Sequence, residues 1–275
     1  MNGQSHLFKW ESIDQQKELV VQQISIPDSF LTKEACAAFI EHELLTLFFK
    51  KGFLSASVDS IHSTASYTQV WLFVGDQYRW GQIRWDSSLS WIDTSQWKRR
   101  WQKTGDLLDP EQLVAERSQL LNFLEDNGFP FATVQFKHGY FHEGALHAVL
   151  ETEKGPYYTI DSIHVEGTAR IKTSFLARLL EINPGDGYSR SRLNQVSGRL
   201  AGLDFIREIR PWDMHLMATG SALNLYLEPQ KSSRFNFLAG LMPSNEQIGG
   251  KLLLTGEAEM DLRNSFGGGE RLYLN

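Results

Sequence analysis

The sequence predicts an α+β fold that repeats one small unit and ends in a tail of antiparallel strands. A helix end of the Gly-Phe type recurs along the chain, and the strand patterns around it recur in the same order. In residues 231–275, alternating apolar and polar residues continue without a helical segment. The predicted unit is therefore strand–helix–helix–strand–strand, with two helices on one face of a small mixed sheet.

Composition excludes some classes of protein. The chain has 275 residues, with 27 basic and 33 acidic side chains and a net charge of −6, so the basic stripe typical of nucleic-acid binders is not expected. The single cysteine, Cys36, cannot form an internal disulfide and is predicted to be a small buried hydrophobe. No apolar run approaches the roughly 18 residues of a membrane helix. The first residues lack a secretory pattern, so the protein is expected to be cytosolic or to have a signal before residue 1.

Glycines mark equivalent positions in successive copies. Gly52 lies in KKGFLSASV and Gly128 in DNGFPFATV, and in each case a helical pattern precedes the glycine and a strand pattern follows it. Gly202 takes the same position in a third copy. Other positions align with one constant offset: Gly75, Tyr78 and Ile83 correspond to Gly155, Tyr158 and Ile163. Agreement between strand, helix and glycine signals indicates tandem copies of one module.

The middle copy has the clearest helix signals. Asp109 is a suitable N-cap, Pro110 suits the first helical position, and Gln112 completes a capping-box pattern. Gly128 is expected to end the helix in the left-handed conformation. One helix face is apolar except for an arginine, so it can pack on a sheet. The residues of that face are Leu113, Val114, Arg117, Leu120, Leu121 and Leu124.

One complete unit is predicted between residues 155 and 230. It comprises a strand at 159–167, a short helix at 173–182, the loop NPGDGYS, a longer helix at 190–201, and two strands at 204–215 and 222–228. The predicted domain boundaries are 1–76, 77–154, 155–230 and 231–275.

The first copy is expected to be degenerate or truncated at its start. Its opening strand would come from ELVVQQISI at 18–26, which leaves little room for a first helix.

The tail alternates in a way that suits a membrane strand or a soluble meander. Alternating segments occur at 234–241, 256–262 and 270–275. At ~10 residues per strand, about four strands fit into the tail, whereas the smallest closed membrane barrel needs about eight. The tail is therefore predicted to be either the first strands of an antiparallel β-barrel or a short β-meander.

Particular motifs resemble a known family. A strand ending in VEG, a loop PGDGYS and a helix running into LDFIREIRP are together similar to a polypeptide-transport-associated (POTRA) domain. The segment GEAEMDLRNSFGGGERLYL resembles the opening barrel strands of BamA/TamA-type outer-membrane assembly proteins, in the bacterial surface antigen family. The turn motif of those strands is matched by Asn264, Phe266, Gly267, Gly269 and Glu270.

This resemblance implies a protein of the outer membrane whose present region lies in the periplasm. It implies that the POTRA array receives unfolded outer-membrane or secreted polypeptides and that a barrel inserts or translocates them. The implied partners are those polypeptides, accessory periplasmic proteins or lipoproteins, and lipid around the barrel. Three POTRA-like units are closer to the TamA type than to the five-domain BamA type. No cofactor and no nucleic acid are expected.

The implied function requires a sheet edge rather than a catalyst. Client strands need partners for their backbone groups before they enter lipid, and an exposed edge strand can supply them. The strand after the long helix is the predicted edge, but Pro211 limits pairing in the third copy. The alternative is an ordinary strand covered by a neighbouring unit. The predicted client-binding residues are Phe131, Ala132, Thr133, Val134, Gln135 and Phe136.

Other patterns give weaker alternatives. His138, His142 and His147 lie close in sequence, but their spacing does not match the helical zinc motif, and no metal site is predicted. GGGE at 267–270 lacks the strand-to-helix context of a phosphate loop. No Gly-x-Ser-x-Gly elbow is present, so an enzyme is the weakest class. A soluble POTRA-like scaffold for protein–protein interaction remains the alternative function.

Tryptophans concentrate between Trp71 and Trp101. A dense aromatic segment can form a docking surface for a partner. Packing in the core and between units is the favoured interpretation.

Overall fold

The computed structural model describes residues 5–14, 24–85, 97, 104–217, 220–243 and 252–275. The chain divides into two compact units, residues 1–121 with 133–153 and residues 122–132 with 154–275. In the described part, the first unit contains two sheets. The second contains two three-stranded sheets and one short two-stranded ladder.

The first sheet has the order β2-β1-β4-β3, with β1 parallel to β4. Phe8 and Trp10 alternate with exposed residues along β1 and pack against Phe39 and Phe48 of the helices. Its elements are β1 (His6–Ser12), β2 (Ser29–Phe30), α1 (Lys33–His42), α2 (Leu44–Phe49), β3 (Ser57–Ser63) and β4 (Tyr67–Phe73).

The opening strand of this sheet was predicted at the wrong place. It lies at His6–Ser12, where the segment HLFKWES alternates with period two and buries every second side chain. Most of the predicted segment, residues 18–23, lies outside the described residues, and Ile24 contributes to the core without belonging to a strand.

The second sheet has the order β5-β7-β6, in which β5 and β7 are parallel and β6 and β7 form a hairpin. The predicted cap of the long helix is confirmed, since Oδ1 of Asp109 accepts the backbone N–H of Glu111 at 2.9 Å and that of Gln112 at 3.4 Å. The elements are β5 (Arg79–Trp85), α3 (Pro110–Asp126), β6 (Thr133–His142) and β7 (Ala145–Glu153).

The third sheet has the order β11-β12-β9, with β12 parallel to β9 and antiparallel to β11. Leucines of the helices and of β12 meet in one buried core, among them Leu176, Leu193 and Leu225. The elements from 159 to 229 are β8 (Thr159–Ile160), β9 (Ser162–Gly167), α4 (Thr173–Leu180), β10 (Asp186–Gly187), α5 (Arg190–Asn194), α6 (Val196–Ala201), β11 (Ile206–Met217) and β12 (Gly220–Pro229). The single helix predicted at 190–201 is thus two short helices that meet at Gln195.

The loop NPGDGYS is held by one carboxylate. Oδ2 of Asp186 accepts the backbone N–H of Asn183 at 2.9 Å and Nη1 of Arg192 at 3.0 Å. The N–H of Asn183 and, to a smaller extent, the charge of Arg192 hold the pKa of Asp186 below its usual range, although partial burial opposes them. These contacts join the loop to α5.

The repeated glycines adopt different conformations at the three helix ends. Gly52 and Gly128 have φ of +84° and +96°, which confirms the expected left-handed C-cap at Gly128. Gly202 has φ −72° and ψ −8°, so the third helix ends in the right-handed conformation. There, the N–H of Leu203 donates to the carbonyl of Leu200 at 3.0 Å and tightens the last turn.

The tail forms an antiparallel sheet, β13-β14-β15. Apolar partners share one face, as in the pairs Phe237 with Ala258 and Leu262 with Leu272, whereas Asn236 pairs with Glu259 on the other face. Its strands are β13 (Arg234–Pro243), β14 (Leu252–Arg263) and β15 (Arg271–Leu274). Together with the small mixed sheets before it, this arrangement confirms the predicted α+β class.

Candidate functional site

The second sheet has one covered edge and one edge with no further strand among the described residues. Beside β5 runs the segment 105–108: the N–H of Trp80 donates to the carbonyl of Asp106 at 2.8 Å, and the N–H of Gly105 donates to that of Trp80 at 2.7 Å. On the opposite side, β6 pairs with β7 and with no second strand in the described part of the chain. The chain therefore covers one edge of this sheet with its own backbone.

The structure distributes the six predicted client-binding residues over two segments. Thr133, Val134, Gln135 and Phe136 begin β6, with Val134 buried and Gln135 exposed. The other two residues, Phe131 and Ala132, precede the strand and belong to the other compact unit.

A bulge divides β6. The pairing with β7 shifts between Lys137 and Tyr140, and His138 has φ +53°. The straight part of the edge is therefore the segment 133–137.

The edge strand of the third sheet is blunted. The pairing of β11 with β12 shifts twice, between Glu208 and Arg210 and between Arg210 and Asp213. Oε1 of Glu208 accepts the backbone N–H of Trp212 at 3.2 Å and the hydroxyl of Ser197 at 3.0 Å. Bulges and a side chain that occupies a backbone donor both oppose the addition of another strand.

The predicted turn motif closes on itself. Oδ1 of Asn264 accepts the N–H of Gly269 at 3.0 Å, and the N–H of Asn264 donates to the carbonyl of Glu270 at 2.8 Å. The carboxylate of Glu270 accepts the N–H of Phe266 and, at 3.0 Å, that of Gly268. The N–H of Phe266 is the main cause that holds the pKa of Glu270 below its usual range. Asn264 adopts φ +53°, a conformation that asparagine tolerates.

The same turn contacts the start of α4. The N–H of Lys172 donates to the carbonyl of Gly267 at 2.7 Å, and Nδ2 of Asn264 donates to the carbonyl of Arg170 at 3.0 Å. Gly269 lies so close to the ring of Phe175 that a Cβ would overlap it. These contacts had no signal in the sequence, because the two segments are far apart along the chain.

Comparison with a family model identifies this part of the fold. Residues 158–212 match the family described as POTRA, surface antigen variable number repeat. Residues 158–212 form a POTRA domain. The predicted resemblance is therefore confirmed for this segment.

Solved structures similar to the chain are POTRA-containing proteins. Haemophilus influenzae BamA POTRA3-5 is 12% identical with a TM-score of 0.48, covering 84% of this chain and 99% of that chain. BamA from Haemophilus ducreyi lacking POTRA domains 1-3 is 19% identical with a TM-score of 0.46, covering 70% and 36%. POTRA1-3 of the periplasmic domain of Omp85 from Anabaena is 13% identical with a TM-score of 0.34, covering 82% and 95%.

All three TM-scores are below 0.5, so the assignment of the POTRA domain rests on the family match and on the elements described above. The chain spans about a third of the length of the H. ducreyi protein. No curated protein sequence matches the chain significantly.

The histidines near the β6–β7 turn lie among aromatic rings, and one of them also accepts a backbone hydrogen bond from β5. His147 stacks on Tyr140 with ring centroids 5.1 Å apart, and its Nδ1 accepts the backbone N–H of Gln82 at 3.2 Å. His142 lies 6.5 Å from His147 between ring centroids. Over the residues that the structure describes, no three His, Cys, Asp or Glu side chains cluster in a way that could hold a metal ion.

The structure places two of the tryptophans between Trp71 and Trp101 in the interior, and two others fall outside the described residues. Trp80 and Trp97 are buried. Trp91 and Trp101 lie outside the described residues.

Among the described helices, none combines the length and apolar character needed to cross a bilayer.

Proposed function

We propose that the chain is the periplasmic client-binding and docking region of an outer-membrane protein insertase or translocase. It receives unfolded polypeptide by β-augmentation at β6 and passes the polypeptide to a membrane barrel. The observation that carries this proposal is the asymmetry of the second sheet. Its β5 edge is covered by residues 105–108, whereas β6 pairs with no second strand in the described residues.

A client strand added at β6 would continue the alternation of the sheet. Val134 and Leu150 of β7 lie on the same face of the sheet and are both buried, whereas Gln135 is exposed. A client residue beside Val134 would therefore extend the apolar layer, and its neighbours would face water. Alternating apolar and polar residues are the pattern of strands destined for a membrane barrel, so the clients proposed are unfolded outer-membrane or secreted polypeptides.

Three POTRA-like domains with boundaries at 1–76, 77–154 and 155–230 form part of this proposal. The first three sheets support it, because their strands lie within 6–73, 79–153 and 162–229. Accessory periplasmic proteins or lipoproteins are proposed as further partners of these domains. No enzymatic step is required, because the transfer needs only backbone pairing.

The tail sheet is proposed to lie in the outer membrane as the first strands of a barrel. One of its faces is apolar, and its side chains are far from buried: Phe235 and Phe237 are each 67% exposed. The opposite face carries Glu257 and Glu259, which suits a polar lumen. An exposed apolar face of this kind needs lipid or a partner to cover it.

Site-specific photo-crosslinking tests the client edge. A photoreactive amino acid at Gln135 of β6 should capture a small outer-membrane barrel protein diluted out of urea. The same group at Ile209 of β11, which is 47% exposed, should capture several-fold less because that edge is bulged. Equal capture at both positions would contradict the proposal.

Proline substitution provides a second test on the same edge. Thr133→Pro or Gln135→Pro should reduce capture, because proline lacks a backbone donor and its ring crowds the edge. Circular dichroism must show that the variant remains folded. Undiminished capture by a folded proline variant would show that clients bind elsewhere and would favour a scaffold function.

A further inference from the structure

The turn of residues 264–270 is closed by hydrogen bonds among its own residues. Its own side chains close it, through Asn264 at one end and Glu270 at the other. The carbonyl of Gly267 and Nδ2 of Asn264 are not used in that closure. Both are instead bonded to the POTRA domain.

The POTRA domain presents matching groups. Lys172 is the N-cap of α4, and no side chain of the described residues caps that end of the helix. Its N–H is one of the donors at a helix start that no helical carbonyl can accept, and it donates to Gly267 at 2.7 Å. The carbonyl of Arg170 accepts Nδ2 of Asn264 at 3.0 Å. The turn therefore supplies one acceptor and one donor, and the residues before α4 supply the matching donor and acceptor.

Packing and charge add to the two hydrogen bonds. Gly269 contacts Phe175, whose ring packs on the domain core 6.3 Å from the ring centroid of Phe205. Beside Phe205, Asp204 forms an ion pair with Arg263 at the end of β14. The contact thus reaches α4 and the start of β11 together.

The chain itself already joins the domain to the tail sheet at residues 230–233, where the N–H of Gln230 donates to the carbonyl of Phe205 at 2.8 Å. A crevice of about 420 Å³, lined among others by Ser233 and Asn264, lies between this linker and the turn. A domain that is joined to the tail sheet by one linker can rotate about that linker. A second attachment at a distance from the first prevents this rotation.

We propose that the turn of residues 264–270 is a clamp that fixes the orientation of the POTRA domain on the tail sheet. The receptor for the clamp is the surface formed by Arg170, Lys172, Phe175 and Asp204. The domain and the tail sheet consequently move as one body while the clamp is closed, and the domain turns about residues 230–233 when it opens. This inference does not depend on the client edge.

The clamp can be opened without altering the fold of either partner. Lys172 has φ −75° and ψ +132°, which proline adopts, so Lys172→Pro removes the N–H donor while α4 keeps its carbonyl. Asn264→Asp removes the Nδ2 donor but keeps the oxygen that accepts Gly269. The matched control is Lys172→Ala, which retains the backbone N–H.

Electron spin resonance distances measured on the full chain in detergent test the proposal. Spin labels at Glu166→Cys in β9 and Glu257→Cys in β14, in a Cys36→Ala background, report the orientation of the domain. One narrow distance distribution is expected for the parent and for Lys172→Ala, and a severalfold wider one for the Lys172→Pro/Asn264→Asp double variant.

Two results would overturn the clamp. One is a broad distribution in the parent, and the other is a distribution in the double variant that stays as narrow as in Lys172→Ala. The thermal unfolding of the double variant, followed by circular dichroism, shows whether the domain itself remains intact. If the double variant unfolds, Asn264→Asp alone, which lies outside the domain, decides between the same two outcomes.

Discussion

The backbone N–H of Tyr158 donates to the carbonyl of Gly128 at 2.8 Å. The same bond occurs one copy earlier, where the N–H of Tyr78 donates to the carbonyl of Gly52 at 2.7 Å. Both glycines have positive φ and both follow the end of a helix. The Gly-Phe repeat therefore reflects a repeated chain reversal, in which the residue that ends one helix also anchors a later segment of the chain.

Replacing Gly128 should destabilise the second compact unit. Gly128→Ala places a side chain at φ +96° and into the ring of Tyr157, so we expect the free energy of unfolding to fall by about 1–3 kcal/mol. Urea denaturation measures this change. Gly198→Ala is the control, because that glycine lies within α6 with no atom of the described residues within 4 Å of an added Cβ, and it should raise stability by about 0.5–1 kcal/mol. Equal effects of the two substitutions would contradict the assigned role of Gly128.

Removing the cap of α3 should weaken that helix. Asp109→Ala deletes the oxygen that accepts the N–H groups of Glu111 and Gln112, and we expect a loss of about 1 kcal/mol in the free energy of unfolding. Asp109→Asn keeps an acceptor and should lose much less. Chemical denaturation of both variants separates the cap from a general effect of substitution; if the two lose the same amount, the oxygen is not the cause.

The carboxylate of Asp186 should make stability depend on pH in the acid range. Its pKa is lowered in the folded state, so its contribution is fully present above the unfolded value of about 3.9 and is lost as the pH falls through the folded value. Asp186→Asn should therefore lower the free energy of unfolding by about 0.5–1.5 kcal/mol at pH 7, and the difference should shrink as the pH falls through the folded pKa of Asp186. Thermal unfolding from pH 2 to pH 7 checks this trend, with the surface substitution Asp28→Asn as control. A difference that grows on acidification would have the wrong sign.

Two neighbouring positions test the apolar face of the tail. Phe237 and Leu238 are similarly exposed, at 67% and 69%, but they lie on opposite faces of β13. Phe237→Lys places a charge on the proposed lipid face, where it costs about 2–4 kcal/mol near the middle of a bilayer. Co-flotation with vesicles of bacterial lipids should drop for this variant.

Leu238→Lys supplies the matched control for that experiment. Its side chain shares a face with Glu257, its partner on β14, so vesicle binding should stay near that of the parent. A similar loss for both variants would show that net charge, rather than the face of the sheet, determines binding.

Elements with periodic signals could be predicted from the sequence. The α+β class, the cap of α3 at Asp109 and the alternating strands of the tail depend on local patterns, and the structure confirms them. The split of the helix at Gln195 and the right-handed end at Gly202 were not foreseen. At both positions the packing of a short helix against the sheet decides the conformation, and propensity alone does not.

The contacts that could not be predicted from the sequence come from the tertiary structure, and some of them join segments that are distant along the chain. Nothing in the pattern around Glu208 indicates that its carboxylate reaches the N–H of Trp212, and nothing around Gly269 indicates that Phe175 lies against it. The turn motif could be recognised by resemblance, whereas its contact with α4 could not. The client-binding role of residues 131–136 stays a prediction until crosslinking tests it.

The blunted edge of β11 has a consequence for the behaviour of the protein in solution. A strand with accessible backbone groups recruits identical strands from other copies, and the risk of aggregation grows with local concentration. In the POTRA domain, two shifts of register, Pro211 and the carboxylate of Glu208 at the N–H of Trp212 protect that edge. Glu208→Ala removes the acceptor of the Trp212 N–H and frees a backbone donor, so it removes one of these protections against self-association while the register shifts and Pro211 stay in place.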